Sequence, residues 1–123
     1  MIVSYGKTKN SSAKSDKLKP GLYSSEIVEV RTPEGYCDGE AFELIYRLTD
    51  DKTGTIYDKT EVFFNDTENP RTAALLDGFA QNGVQIAETD NFVGIKEIVT
   101  LKYSINKGRS FLNIVERTFV GKN

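Results

Sequence analysis

The sequence predicts a mainly-β fold, a five-stranded barrel with one α-helix between its third and fourth strands. Three observations carry this. Five segments rich in β-branched and aromatic residues are bounded by Gly, Pro or polar turns. One of them, Ala41 to Leu48, alternates strictly between an apolar face and a mixed one. Only one stretch, Asn69-Pro70 through Gly83, has helical caps and a helical apolar stripe. A chain of 123 residues is long enough for one self-sufficient core.

Residues 1–18 read as a basic arm and residues 19–123 as the folded domain. Lys7 to Lys17 is rich in Ser, Lys and Asn and nearly free of apolar residues, the composition of a loose segment. Met1 to Tyr5 (MIVSY) is apolar and predicts an extra edge segment. Lys19-Pro20-Gly21 is a turn that starts the body.

The first strand is Leu22 to Arg31, ended by Pro33 and Gly35. In the second, Phe42, Leu44, Tyr46 and Leu48 form the apolar face. Thr49 to Gly54 is a polar hairpin loop. The third strand, Thr55 to Asn65, puts Ile56, Val62 and Phe64 on one face and Tyr57, Lys59, Glu61 and Phe63 on the other. In the helix, Asn69 caps, Pro70 suits the first position, and Leu75, Leu76, Phe79 and Ala80 form the stripe. Gly78 costs about 1 kcal/mol there relative to Ala, which close packing on the barrel mouth would explain. Asn82-Gly83 is the stop. In the connector Val84 to Gly94, Val84, Ile86, Phe92 and Val93 dip into the core. Ile95 to Ile105 and Ser110 to Val120 are the last strands, joined by a short hairpin at Asn106-Lys107-Gly108-Arg109. The order β-β-β-α-β is that of the oligonucleotide/oligosaccharide-binding (OB) barrel.

Composition narrows the function. The chain has no histidine and one cysteine, Cys37, which excludes His-activated nucleophiles, an internal disulfide and a zinc site. Asp50-Asp51 reads as solvated turn residues, and Gly35, Gly39 and Gly54 are too scattered to cradle a phosphate. A non-catalytic binding protein without cofactor or metal is expected. No apolar run nears the roughly 20 residues of a membrane helix, and no signal-peptide core is present, so the expected location is cytoplasmic. Net charge is −2, yet residues 1–20 hold five lysines against Asp16 alone, a balance of +4 that leaves −6 for the rest. A basic arm on an acidic body suits a phosphate backbone.

Single-stranded nucleic acid is recognised by flat rings for bases and cations for phosphates. With the apolar faces turned inward, strands two and three would project Arg47, Tyr57, Lys59 and Phe63 outward. The loop after strand one adds Arg31 and Tyr36, and the last hairpin adds Lys107 and Arg109. In an OB barrel these three groups flank one face. Glu43 and Glu61 on that face oppose phosphate.

The segments KPGLYSSEIVEV (19–30), ALLDGFAQNGV (74–84) and FVGIKEIVTLKYSINKGRSFLNIVERTF (92–119) resemble a family of small phage- and prophage-encoded proteins. These belong to replication and recombination modules and are regarded as single-strand DNA-binding proteins. The resemblance spans about residues 19 to 120 and implies an OB fold and single-stranded DNA binding. RNA, a second copy of the chain, and phage or host replication and recombination proteins are the further partners considered. The chain departs from single-strand binders in lacking tryptophan, and its last residues, Val120 to Asn123, are not an acidic tail. The alternative expectation is a protein-interaction or assembly module on the same scaffold.

Overall fold

The computed structural model describes residues 18–123. The arm expected over residues 1–18, save Leu18, and the edge segment at Met1 to Tyr5 lie outside the described residues. Five antiparallel strands form one sheet: β1 (Gly21–Arg31), β2 (Ala41–Thr49), β3 (Ile56–Phe64), β4 (Ile95–Asn106) and β5 (Arg109–Lys122). One helix, α1 (Pro70–Gln81), separates β3 from β4. Their spatial order is β3-β2-β1-β4-β5, so β1 lies at the centre with β3 and β5 at the edges.

The sheet is not closed into the expected barrel, because no β3–β5 ladder is present among the described residues. α1 explains part of this. Arg71 donates from Nη1 to the Val62 carbonyl, and Thr72 Oγ1 donates to the Phe64 carbonyl at 2.7 Å. Side chains thus occupy the acceptors that a neighbouring strand would use. A cleft of about 230 Å³ lies between the edges, bounded by Glu61 and Phe63 of β3, Arg71 and Leu75 of α1, and Ile114 and Arg117 of β5.

The expected caps build α1. The Asn69 side chain accepts from the Arg71 and Thr72 amides at 3.0 and 3.2 Å. Gly83 turns the chain out at φ 83°, and the Val84 amide reaches back to the Phe79 carbonyl at 3.0 Å. Thr72, Leu75 and Phe79 are buried on the sheet, while Ala80 is exposed. Close packing does not account for Gly78, since a Cβ added there would meet nothing within 4 Å. In the connector, Val84 and Phe92 enter the core, whereas Ile86 and Val93 are exposed. A 3-10 turn over Thr89–Phe92 delivers Phe92 against Phe79 and Phe42, at ring-centroid distances of 5.0 and 6.0 Å.

Register decides which face of each strand is inside. Residues directly opposite one another in a ladder share a face. Phe42, Leu44, Tyr46 and Leu48 are buried, and their β3 partners are Phe63, Glu61, Lys59 and Tyr57. The two faces of β3 are therefore grouped as the alternation implies, but the set expected outside is inside. Phe63 lies stacked on Phe42 at 5.5 Å, and Tyr57 meets the Tyr23 ring edge-on at 6.0 Å. Ile56 and Phe64 are the exposed ones. β1 keeps both of its halves in phase through a bulge at Val28, which lets Ile27 face Tyr46 and Val30 face Leu44.

β4 and β5 outrun the rest of the sheet. Gly21, the first residue of β1, pairs with Leu101, yet the β4–β5 ladder continues to Asn106 opposite Arg109. Lys107 (φ 53°) and Gly108 (φ 76°) form a two-residue turn with both φ values positive, the turn whose twist matches a hairpin.

Candidate functional site

Most of the residues expected to bind nucleic acid have protein partners. Arg31 is bonded through Nε to Glu43 Oε1 at 2.7 Å, and that hydrogen bond and the Glu43 charge hold the guanidinium above its ordinary pKa. Tyr36 stands at the same end of the sheet, its ring 5.9 Å from that of Phe64. Arg47 is exposed but lies in a row across four strands, Asp58–Arg47–Glu26–Lys96, of alternating charge. Such cross-strand pairs favour the sheet by about 0.2–1 kcal/mol each. Tyr57, Lys59 and Phe63 face inward, so their expected outward projection is corrected. Lys59 reaches Glu61 Oε2 at 3.3 Å, and only 15% of its side chain is exposed.

The inward set belongs to a polar network within the sheet's curve. Glu61, with 5% of its side chain exposed, also accepts from Arg71 Nη2 at 2.8 Å. The Arg71 guanidinium lies over the Phe63 ring at 4.0 Å. Beside this, Arg117 of β5 donates through Nη1 to Glu97 Oε1 at 2.9 Å and to the Tyr46 hydroxyl at 3.1 Å. Ser25 Oγ donates to the Glu97 carbonyl at 3.2 Å. Burial pushes the Tyr46 hydroxyl up to about 12, against the pull of Arg117. Burial likewise raises the Glu97 carboxyl despite Arg117. For Arg117 burial acts downward, and the facing Tyr46, Glu97 and Glu61 outweigh it, so its pKa is raised. These arginines and acids neutralise one another. The network holds elements together; it offers little free charge to a ligand.

The β1–β2 loop end offers little free cationic charge either. Glu34, Asp38, Glu40 and Glu43 crowd the end where Arg31 and Tyr36 sit, and Asp66 and Glu68 follow β3 there. Cys37 is exposed, and its amide donates to Glu40 Oε1 at 2.9 Å. At the β2–β3 turn, Asp50 accepts from the Lys52 amide at 2.9 Å, so it shapes the loop. No helix among the described residues is long and apolar enough to cross a membrane.

Lys107 and Arg109 differ from the other six. They are exposed at the tip of the projecting β4–β5 hairpin and have no ion pair among the described residues. The register places them past the end of β1 opposite to the one that carries Arg31 and Tyr36. The eight expected residues therefore do not gather on one face.

Around these two, the hairpin supplies further groups that the sequence reading passed over. Between Glu97 and Glu116 the chain carries Lys102, Lys107 and Arg109 and no acid. Lys102 is exposed, Tyr103 is 59% exposed and Phe111 45%. Opposite pairs Lys102↔Asn113, Ser104↔Phe111 and Asn106↔Arg109 put Lys102, Phe111 and Arg109 on one face. Tyr103, Ile105 and Leu112 take the other. The signal that could have found this surface is the acid-free run of residues 98–115 in an acidic chain. No known protein family, curated protein or solved structure matches the chain.

Proposed function

We propose that this protein binds single-stranded nucleic acid without catalysis, through the face of the β4–β5 hairpin that carries Lys102, Phe111 and Arg109. One observation carries this reading: a projecting, acid-free ladder with the exposed ring of Phe111 and three cations that have no ion pair among the described residues, on a chain whose net charge is −2. Unpaired bases present π-faces to a ring such as Phe111, and the cations answer the phosphates. The strand order β3-β2-β1-β4-β5, with α1 between β3 and β4, supports an OB-type scaffold whose β3–β5 seam is unbonded. The resemblance to phage and prophage single-strand DNA-binding proteins includes this hairpin, and it favours DNA and a place in replication or recombination.

The test is fluorescence anisotropy with labelled oligo-dT, oligo-rU and a duplex of equal length, each at two salt concentrations. Binding to the single strands that weakens steeply with salt is expected. No anisotropy change at low salt and micromolar protein removes the reading. A second reading rests on the opposite hairpin face, where Ile105 is 78% exposed beside Tyr103. There the hairpin would dock on another polypeptide, and Ile105→Asp would abolish assembly in light scattering while leaving oligonucleotide binding intact.

A further inference from the structure

Gly78 weakens α1, and no neighbour requires its missing side chain, since a Cβ there would meet nothing within 4 Å. The space it leaves belongs to a cavity of about 220 Å³ between α1 and the inner face of β4 and β5. Ala74, Gly78 and Asn82 recur at every fourth position and form one stripe of the helix along this cavity. Ala74 and Asn82 are exposed at its rim, whereas Phe79 and Glu97 on its walls are 1% and 3% exposed. The gap exists because α1 is tied to β3 through Arg71 and Thr72. No hydrogen bond ties it to β5 among the described residues.

The polar groups of this cavity are only partly used. Glu97 Oε1 accepts from Arg117 Nη1 at 2.9 Å, while Oε2 has no partner among the described residues. Arg117 also lines the cavity. Its Nη1 is shared between Glu97 and the Tyr46 hydroxyl, and its Nε and Nη2 hydrogens have no partner among the described residues. An acceptor and donors thus stand side by side in a largely apolar hollow. Leaving such groups unmet costs free energy, so a molecule that satisfies both is favoured. Because Arg117 already neutralises Glu97, the pair calls for hydrogen bonds rather than for net charge.

We propose that this cavity binds a small planar heterocycle with a lactam edge, an N–H beside a C=O, as in the pyrimidine-diones. The N–H donates to Glu97 Oε2, and the C=O accepts from Arg117. Leu75, Phe79 and Phe119 on the walls suit the apolar faces of a ring, and Gly78 leaves the room it occupies. Size limits the ligand. The cavity is smaller than the roughly 300–1,000 Å³ of pockets for drug-sized molecules, so it suits a single ring. The site is independent of the hairpin reading. It lies where Glu97 pairs with Ser25 and Phe119, whereas the hairpin projects past the pairing of Gly21 with Leu101.

The test titrates the full chain with 1-methyluracil, whose one N–H lies between two carbonyls, and with 1,3-dimethyluracil, which has none. Amide NMR spectra follow both. 1-Methyluracil is expected to give saturable shifts at Gly78, Asn82 and Phe119, with a Kd in the roughly millimolar range that one ring allows. 1,3-Dimethyluracil should bind at least about tenfold more weakly, because it would cover Glu97 Oε2 without satisfying it. Gly78→Leu fills the cavity while improving helix propensity, so its circular dichroism spectrum should be unchanged and its binding lost. Glu97→Gln, with its oxygen kept toward Arg117, turns an amide N–H to the ligand and should bring the two probes to equal affinity. Four results overturn the site: no saturable shift with 1-methyluracil, equal affinity of the unaltered chain for both probes, shifts confined to the hairpin around Phe111, or undiminished binding by Gly78→Leu. If Glu97→Gln does not fold, the two probes on the unaltered chain still decide.

Discussion

Cations sit near aromatic rings in two parts of this molecule, to opposite effect. Inside the curve of the sheet, Arg71 lies over Phe63 and Arg117 near Tyr46, at 4.0 and 5.7 Å from the ring centroids. Each guanidinium is bonded to a buried carboxylate, Glu61 or Glu97. On the hairpin, Lys102 and Arg109 share a face with Phe111 and have no acid partner among the described residues. Ring and cation alone therefore do not mark a ligand surface. The presence or absence of a neighbouring acid separates a structural network from a free one, because a paired cation has little attraction left for phosphate.

The contrast is broken most easily from its interior side. Phe63→Ala removes a ring stacked on Phe42 and covered by Arg71, and should lower stability by about 3–5 kcal/mol in urea denaturation. A loss below about 1 kcal/mol would mean that Phe63 is not core. Arg117→Ala leaves Glu97 buried without its cation and should cost roughly 3 kcal/mol. Adding Glu97→Gln should recover part of that, and no recovery would deny the pairing its role.

Alkaline titration sharpens the same side. The Tyr46 hydroxyl is held up to about 12 in the fold, against 10.0 for the free group. Between these values the unfolded chain releases the proton that the folded chain keeps. Rising pH thus favours unfolding, by about 1.4 kcal/mol for each unit of displacement. Tyr46→Phe should lose this component, seen as a shallower fall in stability from pH 10 to 12. An identical fall in both chains would show that Tyr46 is not the group responsible.

On the hairpin side the effects should appear in binding. Phe111→Ala is expected to weaken oligo-dT binding by roughly 1–3 kcal/mol and to change stability by no more than about 0.5 kcal/mol. Tyr36→Ala, at the acidic end, should leave binding unchanged. Equal losses from the two would erase the distinction between the ends. The smallest effect is expected from Gly78→Ala, which enters open space and should stabilise α1 by about 1 kcal/mol without touching binding.

Much of the fold is legible residue by residue. Asn69, Pro70 and Asn82-Gly83 mark α1 because capping is local chemistry, satisfied within a few residues of chain. The strands fall within two residues of their expected limits because alternation and turn residues are local too. Inside and outside on β3 were not legible. Tyr57, Lys59, Glu61 and Phe63 are half polar, and so is the composition opposite them on the strand, so hydropathy alone cannot orient it. The pairing of Phe42 with Phe63 does. Tyr57, Lys59 and Phe63 were placed on the outer face for the same reason: their opposite neighbours on β2 are set by register rather than by sequence proximity.

By itself the sequence determined the number and order of the elements, the helix caps, the absence of histidine-based chemistry, and the uneven spread of charge. These are properties of composition and of short-range backbone preference. Only the tertiary structure decided that the sheet stays open at β3 and β5, where Arg71 and Thr72 take the carbonyls a strand would have used. It alone also decided which cations are neutralised inside, and that Gly21 meets Leu101, so that the β4–β5 hairpin projects past the start of β1. Ladder pairing acts between residues far apart in the chain, and its free energy depends on the whole sheet being in register.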